Sequence, residues 1–112
     1  MRILVLDDEP ARHELFKAAW GKHDITHAWT ADEAEKAFDG NRFDLVTLDH
    51  DLGPASRGNG LRVARHIAQM PEDRQPYKVL VHSANPVGAQ AMIDALLRTS
   101  IDVQRIDPLR LG

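Results

Sequence analysis

The sequence predicts a three-layer α/β domain built on one parallel sheet. Three observations carry this: short, almost wholly apolar runs, a polar turn closing each run, and a stretch of helical periodicity after every run but the last. Unbroken apolar runs suit strands buried on both faces, as parallel strands are.

Arg2 to Leu6 is the first such run and is rich in β-formers. It ends at Asp7, Asp8 and Glu9, and Pro10 follows, a residue suited to the first turn of a helix. From Pro10 to about Trp20, Ala11, Leu15, Ala18 and Ala19 recur at helical spacing, and Gly21 closes the run. Ile25 to Trp29 reads as the second strand. Thr30 with Glu33 three residues on forms a capping box for a helix over Asp32 to Phe38, which Gly40 and Asn41 stop. Asp44 to Leu48 is the third strand, ending at Asp49, His50 and Asp51. Gly53, Gly58 and Gly60 mark a loop before a helix of about Leu61 to Met70. Pro71 and Pro76 bracket a turn, and Tyr77 to Val81 is the fourth strand, ending at His82 and Ser83. Asn85 and Pro86 supply a cap and a first helical residue, and Ala89, Met92, Ile93, Leu96 and Leu97 form the apolar face of the helix that follows. Ile101 to Ile106 is a short fifth strand.

Right-handed crossovers put helices on the faces of such a sheet, and ligands gather outside the carboxyl ends of its strands. Asp7, Asp8, Asp49, His50, Asp51, His82, Ser83 and Asp107 all fall at that edge.

Length and composition narrow the chemistry. A chain of 112 residues accommodates a single domain, 1–112, and buries roughly 60 to 65% of its unfolded surface. With no cysteine, disulfides and thiolate chemistry are excluded, and a metal must be held by carboxylate, imidazole, carbonyl or water. Fourteen basic and 17 acidic side chains give a net charge of -3 without a run of one sign, which offers no track for duplex DNA. The first apolar run is broken at once by three acids, so it reads as neither signal peptide nor membrane span, and the cytoplasm is the expected location.

Asp7, Asp8 and Asp49 at neighbouring strand ends raise one another's pKa or demand a cation. A hard ion such as Mg²⁺ or Mn²⁺ answers that demand with oxygen ligands and leaves coordination positions for a phosphate. The plainer alternative, that Asp8 and Glu9 only cap the first helix, leaves Asp49 unexplained. Asp49 could bind the metal or attack phosphorus, and Asp51 could add a carboxylate or a backbone carbonyl, or cap the loop. His82 could protonate a leaving oxygen or hold a phosphate oxygen, paired with His50 as acid and base, although either imidazole could simply bond a loop carbonyl. Ser83 and Asn85 stand where a helix start can receive an anion, Asn85 mainly as a cap. His13, His23, His27 and His66 read as surface residues.

Nearly the whole chain resembles the response-regulator receiver domain. The similarity lies in ILVLDDEP at the first strand, in DLVTLD ending at Asp49, and in Ser83 followed by Ala84 after the fourth. It implies a flavodoxin-like (CheY-like) fold with strand order 2-1-3-4-5. It also implies that Asp7 helps hold the site, that Asp8 and Asp51 join Asp49 as Mg²⁺ ligands, and that Asp49 is the phosphoacceptor. The departures are Asp107, before Pro108, where receivers carry a lysine; Gly53 where they carry proline; Gln104 at the aromatic switch position; and a missing last helix. Exchanging that lysine for a carboxylate disfavours a stable aspartyl phosphate.

LDHDLG and VHSANPVG resemble the signatures of a receiver subgroup described as cyclic-phosphate processing, with the set Asp7, Asp8, Asp49, His50, Asp51, His82, Ser83 and Asn85. The expected function is therefore metal-dependent hydrolysis or processing of a cyclic phosphoester, free or at an RNA terminus. Asp49, His82, His50 and Asp7 would be catalytic, Ser83 and Asn85 phosphate-binding, and Asp8, Asp49 and Asp51 metal ligands. The alternatives are a phosphoacceptor receiver and a non-catalytic pseudo-receiver that serves as a binding module. Loss of the last helix should uncover apolar surface beside Trp20, which predicts a homodimer or a covering partner.

Overall fold

The computed structural model describes residues 1–110. Its strands are β1 (Arg2–Leu6), β2 (Asp24–Ala28), β3 (Leu45–Asp49), β4 (Lys78–His82) and β5 (Asp102–Arg105). Its helices are α1 (Pro10–Trp20), α2 (Ala31–Ala37), α3 (Gly60–Ala68) and α4 (Pro86–Leu96), with short 3-10 turns at Glu72–Arg74 and Pro108–Arg110. All strands pair in parallel, in the order β2-β1-β3-β4-β5.

The pleat sorts side chains between two unequal faces. Leu4, Leu6, Val46, Leu48, Val79 and Val81 face one way and close the larger core with α2, α3 and α4. Ile3, Val5, Leu45 and Leu80 face the other way and pack against Phe16 and Trp20 of α1. Among the described residues no further helix follows β5, so α1 stands alone on its face. The Pro108–Arg110 turn folds back toward α1. A groove of about 370 Å³ remains between Met1, Trp20, Tyr77 and Leu80. Leu45 and Leu80 nevertheless stay buried, so the surface left open is smaller than loss of a whole helix suggests.

Most boundaries fall where the sequence predicts them, and the shifts have local causes. Trp29 lies outside β2 because its N–H donates to the Glu33 carboxylate, which with Thr30 completes the capping box of α2. Asn59 caps α3, which therefore opens at Gly60. Asp49 and His82 are strand residues, each other's partners in the β3–β4 register, rather than the first residues of turns. Among the described residues, no helix is long and apolar enough to cross a membrane.

Candidate active site

Register brings the site together. Leu6 pairs with Leu48 and Asp49 with His82, so Asp7, Asp49 and His82 form one row across the ends of β1, β3 and β4. Period-two alternation aims all three to the α1 face, in line with Val5 and Leu80. All three are buried, and one donor atom from each lies within 4.8 Å of the others.

Burial without full charge compensation shifts these groups in predictable directions. Loss of solvent, with Asp7 and Asp8 adding negative potential against an opposing Arg12, pushes the Asp49 carboxyl up to about 8. Loss of solvent also brings His82 down to about 4, so its imidazole is neutral at neutral pH and its 3.7 Å approach to Asp7 is not an ion pair. His82 Nε2 is buried without a hydrogen-bond partner. A neutral imidazole carries one acceptor and one donor nitrogen.

Beside this row lies a cavity of about 700 Å³ whose lining includes Asp49, Asp51, His82, Ser83 and Asp107. Asp7 backs it: its carboxylate accepts from the Glu9 N–H at 2.9 Å and from Arg12 Nε at 2.6 Å. Asp8 sits half-buried beside Arg12, with the Gly53 backbone, at φ +71°, folded over its carboxylate. Neither Asp8 nor Glu9 makes a side-chain cap for α1.

Other expected members stand apart. His50 packs its ring on Gly88 of α4 and bonds Asp51 through Nδ1 at 2.9 Å, so the expected pairing of His50 with His82 is not formed. That bond turns one Asp51 carboxylate oxygen toward His50. The Asn85 side-chain oxygen is engaged as the α4 cap, accepting from Val87 and Gly88 N–H groups, which leaves the amide N–H donors as the part of this side chain that an anion could meet. The Ser83 hydroxyl accepts from the Asn85 N–H at 3.0 Å and keeps its own proton for a ligand.

Two residues that the sequence reading passed over are prominent. Arg12 lines the cavity and spans the acids, and its hydrogen bond to Asp7 raises its pKa. Its spacing four and five residues after Asp8 and Asp7, across a helix start, was the available signal. His13 is buried rather than on the surface: its Nε2 donates to the Asp7 carbonyl at 2.9 Å, and its ring stacks on Trp29. No spacing rule marks it, because α1 had no visible reason to bury a polar residue there.

The donor set suits a hard divalent ion. The oxygens of Asp7 and Asp49 converge with a ring nitrogen of His82, and burial first, then the neighbouring Asp7, raises the Asp49 pKa, a cost that a cation would relieve.

Five parallel strands in this order, with buried aspartates ending the first and third, define a receiver domain of the response-regulator type. Within that class the chain belongs to the cyclic-phosphate processing receiver domain family, whose model matches residues 2–98. Solved structures agree on the fold. The response regulator TrrA of Thermotoga maritima, in complex with Mg²⁺ and BeF, is 29% identical over 95% of this chain and 85% of its own, with TM-score 0.72. The receiver domain of NtrX from Brucella abortus is 29% identical over 97% of this chain and 90% of its own, with TM-score 0.71. Against a longer NtrX chain from Brucella abortus the identity is 28% over 98% of this chain, with TM-score 0.71, and the match spans 24% of that chain. No curated protein matches the sequence.

Proposed function

We propose that this receiver domain processes a small phosphoester, a 2′,3′-cyclic nucleotide or an RNA end that carries one, with the cytoplasm as its place of work. The observation that carries the reading is His82: a buried, neutral imidazole with Nε2 unpartnered, lining the same cavity as Asp49 and Ser83. A side chain left unsatisfied at that depth is costly unless a ligand completes it.

Asp49 with Asp7 or Asp8, and the Asp51 carbonyl, would hold Mg²⁺ or Mn²⁺, which when bound polarises a phosphate and lowers the pKa of a coordinated water. His82 would take the proton released as water attacks phosphorus and return it to the ester oxygen whose bond to phosphorus breaks, so that the imidazole ends neutral. The Ser83 hydroxyl donates to a phosphate oxygen and fixes its direction. Asp107 lines the same cavity and repels a phosphoryl group that would otherwise rest on Asp49, which favours turnover over storage.

A second reading has its own support. Asp49 ends β3 on the cavity, and TrrA, at 29% identity, is a response regulator bound to Mg²⁺ and BeF. The likeness to solved response regulators favours this reading, in which Asp49 accepts a phosphoryl group and the domain signals.

Phosphorus NMR separates the two. The protein with Mg²⁺ or Mn²⁺ is given a 2′,3′-cyclic nucleotide and, separately, acetyl phosphate. Ester turnover that disappears in Asp49→Asn and falls at least tenfold in His82→Ala supports processing. Stoichiometric labelling of Asp49 without ester turnover overturns it in favour of signalling, and silence in both overturns both.

A further inference from the structure

Arg12 touches the three carboxylates at the ends of β1 and β3, Asp7, Asp8 and Asp49. Its Nε donates to Asp7 at 2.6 Å, and Nη2 lies 3.3 Å from Asp49 and 3.5 Å from Asp8. It reaches them from α1, which packs over this face, and its side chain remains 35% exposed. The bond to Asp7, itself fully buried, fixes the plane of the guanidinium. Among the described residues Nη1 has neither a hydrogen bond nor an ion pair, so two N–H donors of the fork stay free on a residue that lines the cavity.

The charges of the cavity make that free edge useful. Its anionic lining groups are Asp49, Asp51 and Asp107, and its cationic ones are Arg12 and Arg105. Arg105 is exposed and directs Nη2 to the Ser83 carbonyl at 3.3 Å, along the mouth rather than into the acid row. A phosphate entering beside Asp49 meets carboxylates on most sides, and Arg12 is the cation beside that row. A guanidinium nitrogen suits the anion because its N–H groups stay charged and make charge-assisted hydrogen bonds to phosphate oxygens.

We propose that Arg12 is the phosphate clamp of this site, held by Asp7 and presenting Nη1 to the phosphate while a divalent ion shares the carboxylates. The proposal rests on the reading of the cavity as a metal-assisted phosphate site. The competing role is a plain counter-ion: a guanidinium that neutralises the acids and leaves when the metal arrives.

The two roles differ in binding, without any need for turnover. Inorganic phosphate is titrated calorimetrically into Mg²⁺-saturated protein, and Mg²⁺ is titrated alone, for wild type, Arg12→Ala and Arg12→Ala/Asp107→Lys. The clamp predicts that Arg12→Ala weakens phosphate by roughly ten- to a hundredfold while Mg²⁺ binds as tightly as before or more tightly. It also predicts that lysine at 107, on the same cavity, recovers most of the lost phosphate affinity. Should Arg12→Ala fail to fold, Arg12→Gln keeps a donor for Asp7 without the charge and carries the same comparison. Unchanged phosphate affinity with tighter Mg²⁺ makes Arg12 a counter-ion only and overturns the clamp, leaving the phosphate site standing. A wild type that binds Mg²⁺ but no phosphate overturns both.

Discussion

The centre of the sheet and its β5 edge obey different rules. β1, β3 and β4 are buried almost throughout, and at their carboxyl ends Asp7, just past β1, converges with Asp49 and His82, the last residues of β3 and β4, on one face. β5 is mostly exposed, its Gln104 amide does no more than approach the neighbouring Asp102, and the chain beyond it brings Arg105 and Asp107 to the rim. The resemblance to receivers is strongest at the centre and breaks at the edge. The difference is one of charge: the centre keeps the buried acids on which the proposed phosphate-and-metal site rests, while the chain after β5 brings Asp107 where receivers carry a lysine. A cation is nevertheless in place, and it comes from α1.

The centre should tolerate almost nothing. Gly60 opens α3 directly against β3, and a Cβ there would collide with the Asp49 carbonyl and lie 2.8 Å from Met92 Sδ. The first contact is backbone and cannot turn aside. Gly60→Ala is expected to cost about 3 kcal/mol in urea unfolding and to weaken Mg²⁺ binding by displacing Asp49. A loss below about 1 kcal/mol would show that the β3 end has room to shift, and the contrast with β5 would soften.

The electrostatic cost of the centre should also be visible in metal-free protein. Asp49, raised from 3.8 to about 8, keeps a proton in the folded state that the unfolded chain has already released. Its contribution therefore falls as pH rises through that interval. His82, lowered from 6.5 to about 4, acts the other way: the unfolded imidazole is charged while the folded one is not, so its contribution recovers as pH rises to about 6.5. The two offset each other up to pH 6.5, and only the fall from Asp49 remains between 6.5 and 8. In chelator, stability should drop by on the order of 1 kcal/mol over that range, the drop should vanish in Asp49→Asn, and saturating Mg²⁺ should reverse it. A flat profile in wild type would mean that Arg12 already compensates the acids in full.

The same contrast governs what the sequence made legible. Apolar runs closed by acids specify β1, β3 and β4, and parallel pairing then aligns Asp7, Asp49 and His82 with little freedom left. Those residues could be read because a strand end is a topological place. The Asn85 cap was also legible, from Asn-Pro ahead of a helical run, whereas His50 could not be placed in the same way, because it follows the loop onto Gly88 and that outcome depends on local backbone geometry. Arg12 was missed for a related reason. Its reach into the pocket depends on a long side chain crossing from a helix to a sheet, and only its spacing from Asp7 and Asp8 hinted at it.

The smallest structural perturbation is at the edge, and there a small change in stability should accompany a visible change in binding. Asp107 is half-exposed; its carboxylate accepts from the Leu109 N–H at 3.0 Å and lies 3.7 Å from Arg110 Nε, a contact between exposed groups. Losing such a pair is worth little, so Asp107→Lys should move unfolding by less than about 0.5 kcal/mol. Yet position 107 lines the cavity that Asp49 and His82 line, and replacing an anion there with a cation changes the local charge by two units. If the edge differs from the centre only in charge, Asp107→Lys should tighten phosphate several-fold in the presence of Mg²⁺ and lengthen any phosphoryl label on Asp49 from acetyl phosphate. Phosphate affinity that does not move would place the decisive difference elsewhere, in the α1 cation rather than the β5 anion. The centre and Arg12 would then be sufficient for the site by themselves.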